Sequence, residues 1–193
     1  MNETDDDDTL IQSYLAGDND SFNIIYERYK LPLYSYLNKL FDDRTPVIDD
    51  IFQQTWLNAI RNMDKYKNRE RFLAWLMRIA HNLVMDYFRN CQRRNEDEFD
   101  PVKESFTLKS GEADPLKSME MQDLAERLEQ ALAALSPELR EVFLLRQRDL
   151  SFREIAAIQK CSVNTCLARM RYAVKNLRDK LRFLTINEEY NIK

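Results

Sequence analysis

The last fifty residues constrain this chain more than any other stretch, because they specify two helix starts and one turn with little freedom between them. Ser151 followed by Glu154 is a capping box, in which the serine hydroxyl and the glutamate carboxylate each take a backbone N–H at a helix start. The helix it opens turns Ile155 and Ile158 inward. Gln159, Lys160 and Cys161 make the turn, and Ser162 caps a second helix. In that helix Val163, Cys166, Met170, Ala173, Leu177 and Leu181 recur at three- and four-residue spacing and form one apolar stripe. Asn164, Ala168, Arg171, Tyr172 and Lys175 face the other way, flanked by Thr165 and Arg169. A capped helix, a tight turn and a helix with a cationic, amide-bearing outer face are what a helix-turn-helix needs to enter a DNA major groove. An ordinary surface hairpin with a solvated basic face has the same composition, so this segment alone leaves both readings open.

The rest of the chain narrows the fold class to all-α. With 2 Gly and 5 Pro in 193 residues, sandwiches, barrels and phosphate-cradling glycine loops lack their turn residues. No apolar run approaches the ~18 residues that span a bilayer. The first ten residues, Met1-NETDDDDTL, are acidic where a secretory signal is basic and then apolar. A soluble, cytoplasmic protein without a membrane span is expected. Cys91, Cys161 and Cys166 have no paired spacing and suit a reducing compartment. Those cysteines and the single His81 supply no metal-ligand pattern, so neither metal nor cofactor is expected.

A net charge of -4 seems wrong for a DNA binder until it is resolved along the chain. Residues 162–182 hold six Lys/Arg against one Asp, and residues 61–94 hold nine against three acids. Residues 1–8 hold five acids and no base, while residues 95–126 hold ten acids against three Lys. The positive charge is therefore collected into two patches, each able to meet a polyanion.

The pattern predicts two small helical domains joined by a flexible acidic linker, with boundaries at 10–94, 95–115 and 116–184. In the first, Asp18 or Asp20 starts a helix carrying Phe22, Ile25, Tyr26 and Tyr29, which Pro32 should break or kink. Thr45-Pro46 is a cap with proline at the first helical position, opening a helix to about Asn62. Another runs from Asn68 to Arg94 with Phe72, Leu76, Ile79 and Leu83 on its apolar face and Trp75 beside it. The linker is polar, acidic and interrupted by Pro101 and Gly111. The second domain opens near Leu116 with a helix carrying Met121, Leu124, Leu128, Leu132 and Leu135, and Ser136-Pro137-Glu138 starts the next.

Two segments of the first domain carry recognition chemistry. The loop holding Lys65, Tyr66 and Lys67 joins an aromatic to cations, and Arg78, Asn82, Met85, Asp86 and Arg89 lie outward on the following helix. A base drawn out of a duplex loses stacking worth a few kcal/mol; an aromatic ring returns ~1–3 kcal/mol of it while cations hold the phosphates. The preceding helix aligns Asp50, Gln53, Gln54 and Leu57 on one face, suited to docking a partner helix.

Taken in order, these segments resemble a bacterial RNA polymerase sigma factor of the extracytoplasmic-function class, within the sigma-70 family. Gly17 to Tyr29 resembles the family's opening helix, and Asp49 to Tyr66 the segment that docks on the clamp helices of the largest polymerase subunit. Phe72 to Arg94 resembles the promoter-melting and −10-reading helix. Leu135 to Leu145 and Ser151 to Arg178 resemble the −35-reading domain. The resemblance implies no enzymatic activity, and partners in core RNA polymerase and promoter DNA, with an anti-sigma factor as a further expectation. It implies that Asp50, Gln53, Gln54 and Leu57 contact polymerase. Lys65, Tyr66 and Lys67 would line the pocket for a flipped −10 base, with Arg78, Asn82, Asp86 and Arg89 along the strand. Arg153, Asn164, Thr165, Ala168, Arg169, Arg171, Tyr172 and Lys175 would meet the −35 element. The linker would thread toward the RNA exit path.

Three departures from the family pattern stand out. Lys160 occupies the turn position where the family usually carries glycine, which predicts a turn without a left-handed residue. Leu167 and Ala168 replace a basic and a small polar residue. His81 is read as a helix residue near the DNA face with no catalytic role. The alternative function is a free-standing helix-turn-helix regulator, which leaves the aromatic loop and the Gln53–Gln54 face without a task.

Overall fold

The structure is a computed structural model, and it describes residues 6–41, 45–67, 71–94 and 125–191. The elements are helices α1 (Asp7–Leu15), α2 (Asn19–Phe41), α3 (Thr45–Arg61), a 3-10 turn (Met63–Lys65), α4 (Phe72–Arg94), α5 (125–133), α6 (Pro137–Arg146), α7 (Phe152–Ile158) and α8 (Val163–Asn191). Among the described residues there is no strand, as the all-α reading requires. Two compact units are present: the first holds α1 to α4, the second α5, α6, most of α7 and α8. The expected linker, 95–115, and the Met121–Leu124 part of the helix before Ser136 lie outside the described residues.

In the first unit α1 packs on α2, α2 on α3 and α3 on α4. Its core is built from Leu10, Ile11, Ile25, Leu33, Tyr36, Leu37, Ile48, Met63, Phe72, Leu76, Met77 and Val84, all essentially removed from water. An aromatic seam lies across α1, α2 and α3. The Trp56 ring meets Tyr26 at 5.0 Å and stands edge-on to Phe22 at 5.8 Å, and Phe22 in turn meets Tyr14 at 5.3 Å. Such pairs add about 0.5–1.5 kcal/mol each beyond the area they bury.

Several expectations change here. Asp7 and Asp8, from the acidic run of residues 1–8, form the first turn of α1, where carboxylates favour the positive end of the helix dipole. Gly17 takes φ +105° between α1 and α2, a conformation that an L side chain rarely adopts. Asp18, not Asp20, caps α2: its Oδ1 accepts the Asp20 N–H at 3.1 Å and its Oδ2 the Ser21 hydroxyl at 2.6 Å. The Ser21 bond, ahead of the backbone bonds, holds the Asp18 carboxyl below its ordinary pKa.

Pro32 does not end the helix; α2 continues through it to Phe41. An interior proline removes one i→i−4 bond and crowds the carbonyl four residues back, at about 3 kcal/mol. Leu33, Tyr36 and Leu37, all fully buried directly after it, each contribute roughly 1.5–3 kcal/mol by leaving water, so packing outweighs the break. The apolar face of α4 is also rotated from the expected one. Met77, Ala80 and Val84 are buried with Phe72 and Leu76, while Ile79 and Leu83 are only half-buried. That rotation takes His81 into the core at 6% exposure, correcting its placement near the DNA face.

In the second unit α6 packs along α8, and Leu132, Leu135, Val142, Leu144, Leu145, Ile155, Cys166, Ala173 and Leu177 form the core. Ser136 sits extended at the N-cap of α6 with Pro137 in the first turn, though its hydroxyl makes no cap bond. The Arg140 guanidinium donates to the Ala133 carbonyl at the end of α5.

Replacing Pro32 with alanine restores the missing N–H donor and should raise the stability of the protein by about 1–2 kcal/mol, after the entropy that the freed chain regains when unfolded. Thermal denaturation of Pro32→Ala checks this, and an unchanged or lower midpoint would show that α2 has adapted to the ring.

Candidate nucleic-acid interface

The helix-turn-helix is assembled as the caps dictate. Glu154 Oε2 accepts the Ser151 N–H at 2.6 Å, and Ser151 Oγ accepts the Glu154 N–H at 3.3 Å. At the second start, Ser162 Oγ accepts the Thr165 N–H at 3.0 Å and lies 2.8 Å from the Thr165 hydroxyl. Thr165 therefore serves the cap.

Between the caps, Lys160 adopts φ 51°, a left-handed conformation, where a turn without one is expected for a lysine. The reason is a hydrogen bond: the Cys161 N–H reaches back to the Ala156 carbonyl at 3.0 Å, which closes α7 and requires a left-handed residue between. Gln159 lies in the turn as expected, and is buried at 9% exposure.

On α8, Asn164, Thr165, Arg171, Tyr172 and Lys175 are exposed, Tyr172 at 62%. Ala168 and Arg169 are half-buried at the edge of the stripe, and Arg169 has a partner within the fold. From Asn164 to Lys175 the stripe runs about 16 Å along the axis at 1.5 Å per residue. That length is enough to span a major groove about 12 Å wide. Arg153 is exposed on α7. Cys166, Ala173 and Leu177 are buried as the apolar stripe predicts, whereas Val163 is 39% exposed. The Cys166 thiol is pushed up to about 11, first by burial and then by Cys161, so it stays protonated and inert at neutral pH.

The second basic surface belongs to the first unit. The 3-10 turn carries Lys65, whose Nζ donates to Asn62 Oδ1 at 2.9 Å, and presents Lys67 exposed just beyond it. Between them Tyr66 is half-buried, edge-on to Phe72 at 5.7 Å and to Trp75 at 5.5 Å. On α4, Arg78 and Asn82 are half-buried and Asp86 and Arg89 exposed, all on one face. Asp86 and Arg89 hold each other at 2.6 Å, an exposed pair worth at most about 1 kcal/mol and so readily opened. Burial first, then the carboxylates of Asp8 and Asp7, raise the Tyr66 phenol well above its ordinary pKa, so its hydroxyl remains a donor.

A third surface is not basic. Asp50, Gln53, Gln54 and Leu57 are all exposed on α3, Leu57 at 44%. Ile60, 36% exposed three residues on, extends the stripe and was not among the expected contact residues. Asp49 is turned aside by the Tyr34 hydroxyl, which donates to it at 3.0 Å. Sequence reasoning also missed Asp7 and Asp8, whose acid run imitates a tail; acids ahead of Leu10 and Ile11 are equally a helix-start signal. Among the described residues no group of His, Cys, Asp and Glu is placed to hold a metal, and no helix is long and apolar enough to cross a membrane.

Two family descriptions match this chain in order: Sigma-70 region 2 over residues 25–94 and Sigma-70, region 4 over residues 125–177. The ECF RNA polymerase sigma-E factor of Salmonella typhimurium is 29% identical over 185 residues, covering 91% of this chain and 96% of that protein. Among solved structures, the sigma factor RpoE of Bartonella quintana, in complex with the anti-sigma factor NepR, matches with TM-score 0.64 at 23% identity, over 82% of this chain and 96% of that one. CnrH, in complex with the cytosolic domain of CnrY, matches with TM-score 0.65 at 23% identity, over 92% and 98%. These two likenesses concern the fold.

The left-handed lysine gives a direct stability test. A side chain in that conformation costs about 1–2 kcal/mol relative to glycine. Lys160→Gly should therefore stabilise the helix-turn-helix by about 1 kcal/mol, read as a higher thermal midpoint, whereas Lys160→Val should lower it.

Proposed function

The chain belongs to the sigma-70 family of transcription initiation factors, in its extracytoplasmic-function class, and from that premise we propose that it joins core RNA polymerase and reads promoters at two separate elements. As a sigma factor it is a recognition subunit and performs no bond chemistry of its own. The observation that carries the two-element reading is the presence, in one chain, of a capped helix-turn-helix with an exposed cationic stripe and a separate cationic loop built around Tyr66.

In this reading the region 10–94 binds polymerase and melted DNA, 95–115 is an acidic linker, and 116–184 reads duplex. Asp50, Gln53, Gln54 and Leu57, extended by Ile60, dock on the clamp helices of the largest polymerase subunit. An exposed apolar row edged by amides suits a helical partner, because burying Leu57 and Ile60 gives affinity while the amides fix register. Lys65 and Lys67 hold backbone phosphates on either side of an extruded −10 base that meets the Tyr66 ring, with Arg78, Asn82, Asp86 and Arg89 along the strand. Arg153, Asn164, Thr165, Ala168, Arg169, Arg171, Tyr172 and Lys175 face the −35 duplex, where Arg171 and Lys175 supply charge and Asn164 supplies hydrogen bonds to base edges. The protein acts where polymerase and chromosome are, in the cytoplasm. An anti-sigma factor that covers these surfaces is a further proposed partner, motivated by the solved complex of the Bartonella sigma factor with the anti-sigma factor NepR.

The test is run-off transcription from fragmented genomic DNA with core polymerase, with and without this protein. Discrete new start sites preceded by two shared elements are expected. Leu57→Asp should abolish them and core binding together while leaving the fold intact. No new transcripts and no core binding would favour a free-standing regulator. A second expectation concerns a single phosphate: Lys175→Ala should reduce the slope of log affinity against log salt, for holoenzyme on duplex containing the upstream element, by about 0.9. An unchanged slope would remove Lys175 from the interface.

A further inference from the structure

Asn62 sits between the end of α3 and the 3-10 turn, and each of its polar groups is engaged there. Its backbone N–H reaches the Asn58 and Ala59 carbonyls at 3.2 Å, and its own carbonyl accepts the Lys65 N–H at 3.0 Å. The side-chain amide works in both directions. Nδ2 donates to the Asn58 carbonyl at 2.8 Å, and Oδ1 accepts from the Lys65 Nζ at 2.9 Å. The opposite placement of the amide would set oxygen against a carbonyl and NH2 against an ammonium, so these two partners fix which way it points. The turn itself is anchored, with Met63 buried at 1% exposure and both α1 and α3 packed on it.

The Lys65 ammonium is thus held by a half-buried amide on an anchored frame. Three other cations of the first unit are held differently. Arg28 rests on Asp7 at 2.5 Å, Lys30 on Glu27 at 2.6 Å and Arg89 on Asp86 at 2.6 Å, and each carboxylate offsets the charge it holds. Asn62 carries no charge, so it orients the ammonium and leaves its field intact. An ammonium has three donors, and with one on Oδ1 two remain for phosphate oxygens. A lysine loses up to about 2 kcal/mol of side-chain freedom when it is immobilised. The part already lost to Asn62 is not lost again when a phosphate arrives, which appears as tighter binding.

We propose that Asn62 is a positioning residue for the melted −10 strand: its amide oxygen holds the Lys65 ammonium, at full charge, in place at the 3-10 turn for a backbone phosphate. The inference rests on the reading of Lys65 as a phosphate contact. Two rival effects have different consequences. If the amide competes with phosphate for the ammonium, its removal tightens binding. If Asn62 serves only to close the end of α3, its removal has the same effect whether or not Lys65 is present.

The experiment measures holoenzyme on a fluorescent single-stranded −10 oligonucleotide, taken from a promoter found by run-off transcription, over a range of salt. Asn62→Ala should weaken binding about two- to fivefold and leave the slope of log affinity against log salt unchanged. Lys65→Ala should weaken binding and also reduce that slope by about 0.7. In the Lys65→Ala background the Asn62 substitution should have no further effect, because both remove one shared interaction. Asn62→Asp, which gives Lys65 a charged partner, should lower both affinity and slope. Asn62→Ser separates positioning from folding. Its hydroxyl bonds the carbonyl four residues back, at Asn58, and its shorter reach withdraws the acceptor from Lys65. It should bind as weakly as Asn62→Ala and keep the thermal midpoint of the unaltered protein. Tighter binding by Asn62→Ala, an equal loss with and without Lys65, or full affinity in Asn62→Ser would overturn the proposal alone. Unchanged affinity and slope in Lys65→Ala would overturn both the proposal and the reading of Lys65 on which it depends.

Discussion

The ring of Phe72 is the contact on which the first unit turns. It is fully buried at the first residue of α4, with Tyr29 at 5.1 Å, Trp75 at 5.5 Å and Tyr66 at 5.7 Å. Truncating such a ring costs about 3–5 kcal/mol, a large part of the 5–15 kcal/mol that separates a folded domain from its unfolded chain. The same ring fixes where the cationic loop sits relative to α4. The loop's aromatic is therefore anchored to the helix that carries Arg78, Asn82, Asp86 and Arg89. Core and cationic surface are built from one cluster, so the surface inherits the rigidity of the core.

Charge is organised by the same separation of duties. A chain of net charge -4 presents cations where helices expose them, on α8 and around the 3-10 turn. Asp7 and Asp8 lie near the second patch without cancelling it. Arg28 and the Tyr29 hydroxyl both take the Asp7 carboxylate. Acids in the first turn of α1 also favour the positive end of that helix and so stabilise it. The third surface, on α3, has a different character: exposed Leu57 and Ile60 beside amides depend on apolar burial, which salt leaves nearly unchanged.

In the second unit precision comes from helix ends. Both helices of the motif start at a serine whose hydroxyl accepts an N–H three residues on, and α7 closes through the Cys161–Ala156 bond. The left-handed Lys160 is the conformational cost of that closure, and Asp149 at φ 59° carries a similar one at the end of α6. Each costs about 1–2 kcal/mol, so the packing of Ile155, Cys166 and Ala173 has to outweigh them. It does so because α7 and α8 bury those side chains only when the turn takes this shape.

The sequence by itself determined the helical class, the capping box at Ser151 and Glu154, the cap at Ser162, the exposed stripe from Asn164 to Lys175 and the exposed face of Asp50, Gln53, Gln54 and Leu57. These are local properties: a cap spans three residues, and a stripe follows from the 3.6-residue period. Tertiary structure alone decided that Pro32 stays inside α2, that α4 is rotated to bury His81, that Lys160 turns left-handed, and that Asp7 meets the Tyr29 hydroxyl across 22 positions of sequence. Each of these depends on what lies opposite in space. Burial of neighbours decides whether a proline or a left-handed lysine is tolerated, and only a folded chain brings an acid near its start to a phenol on another element. No window along the sequence contains that partner.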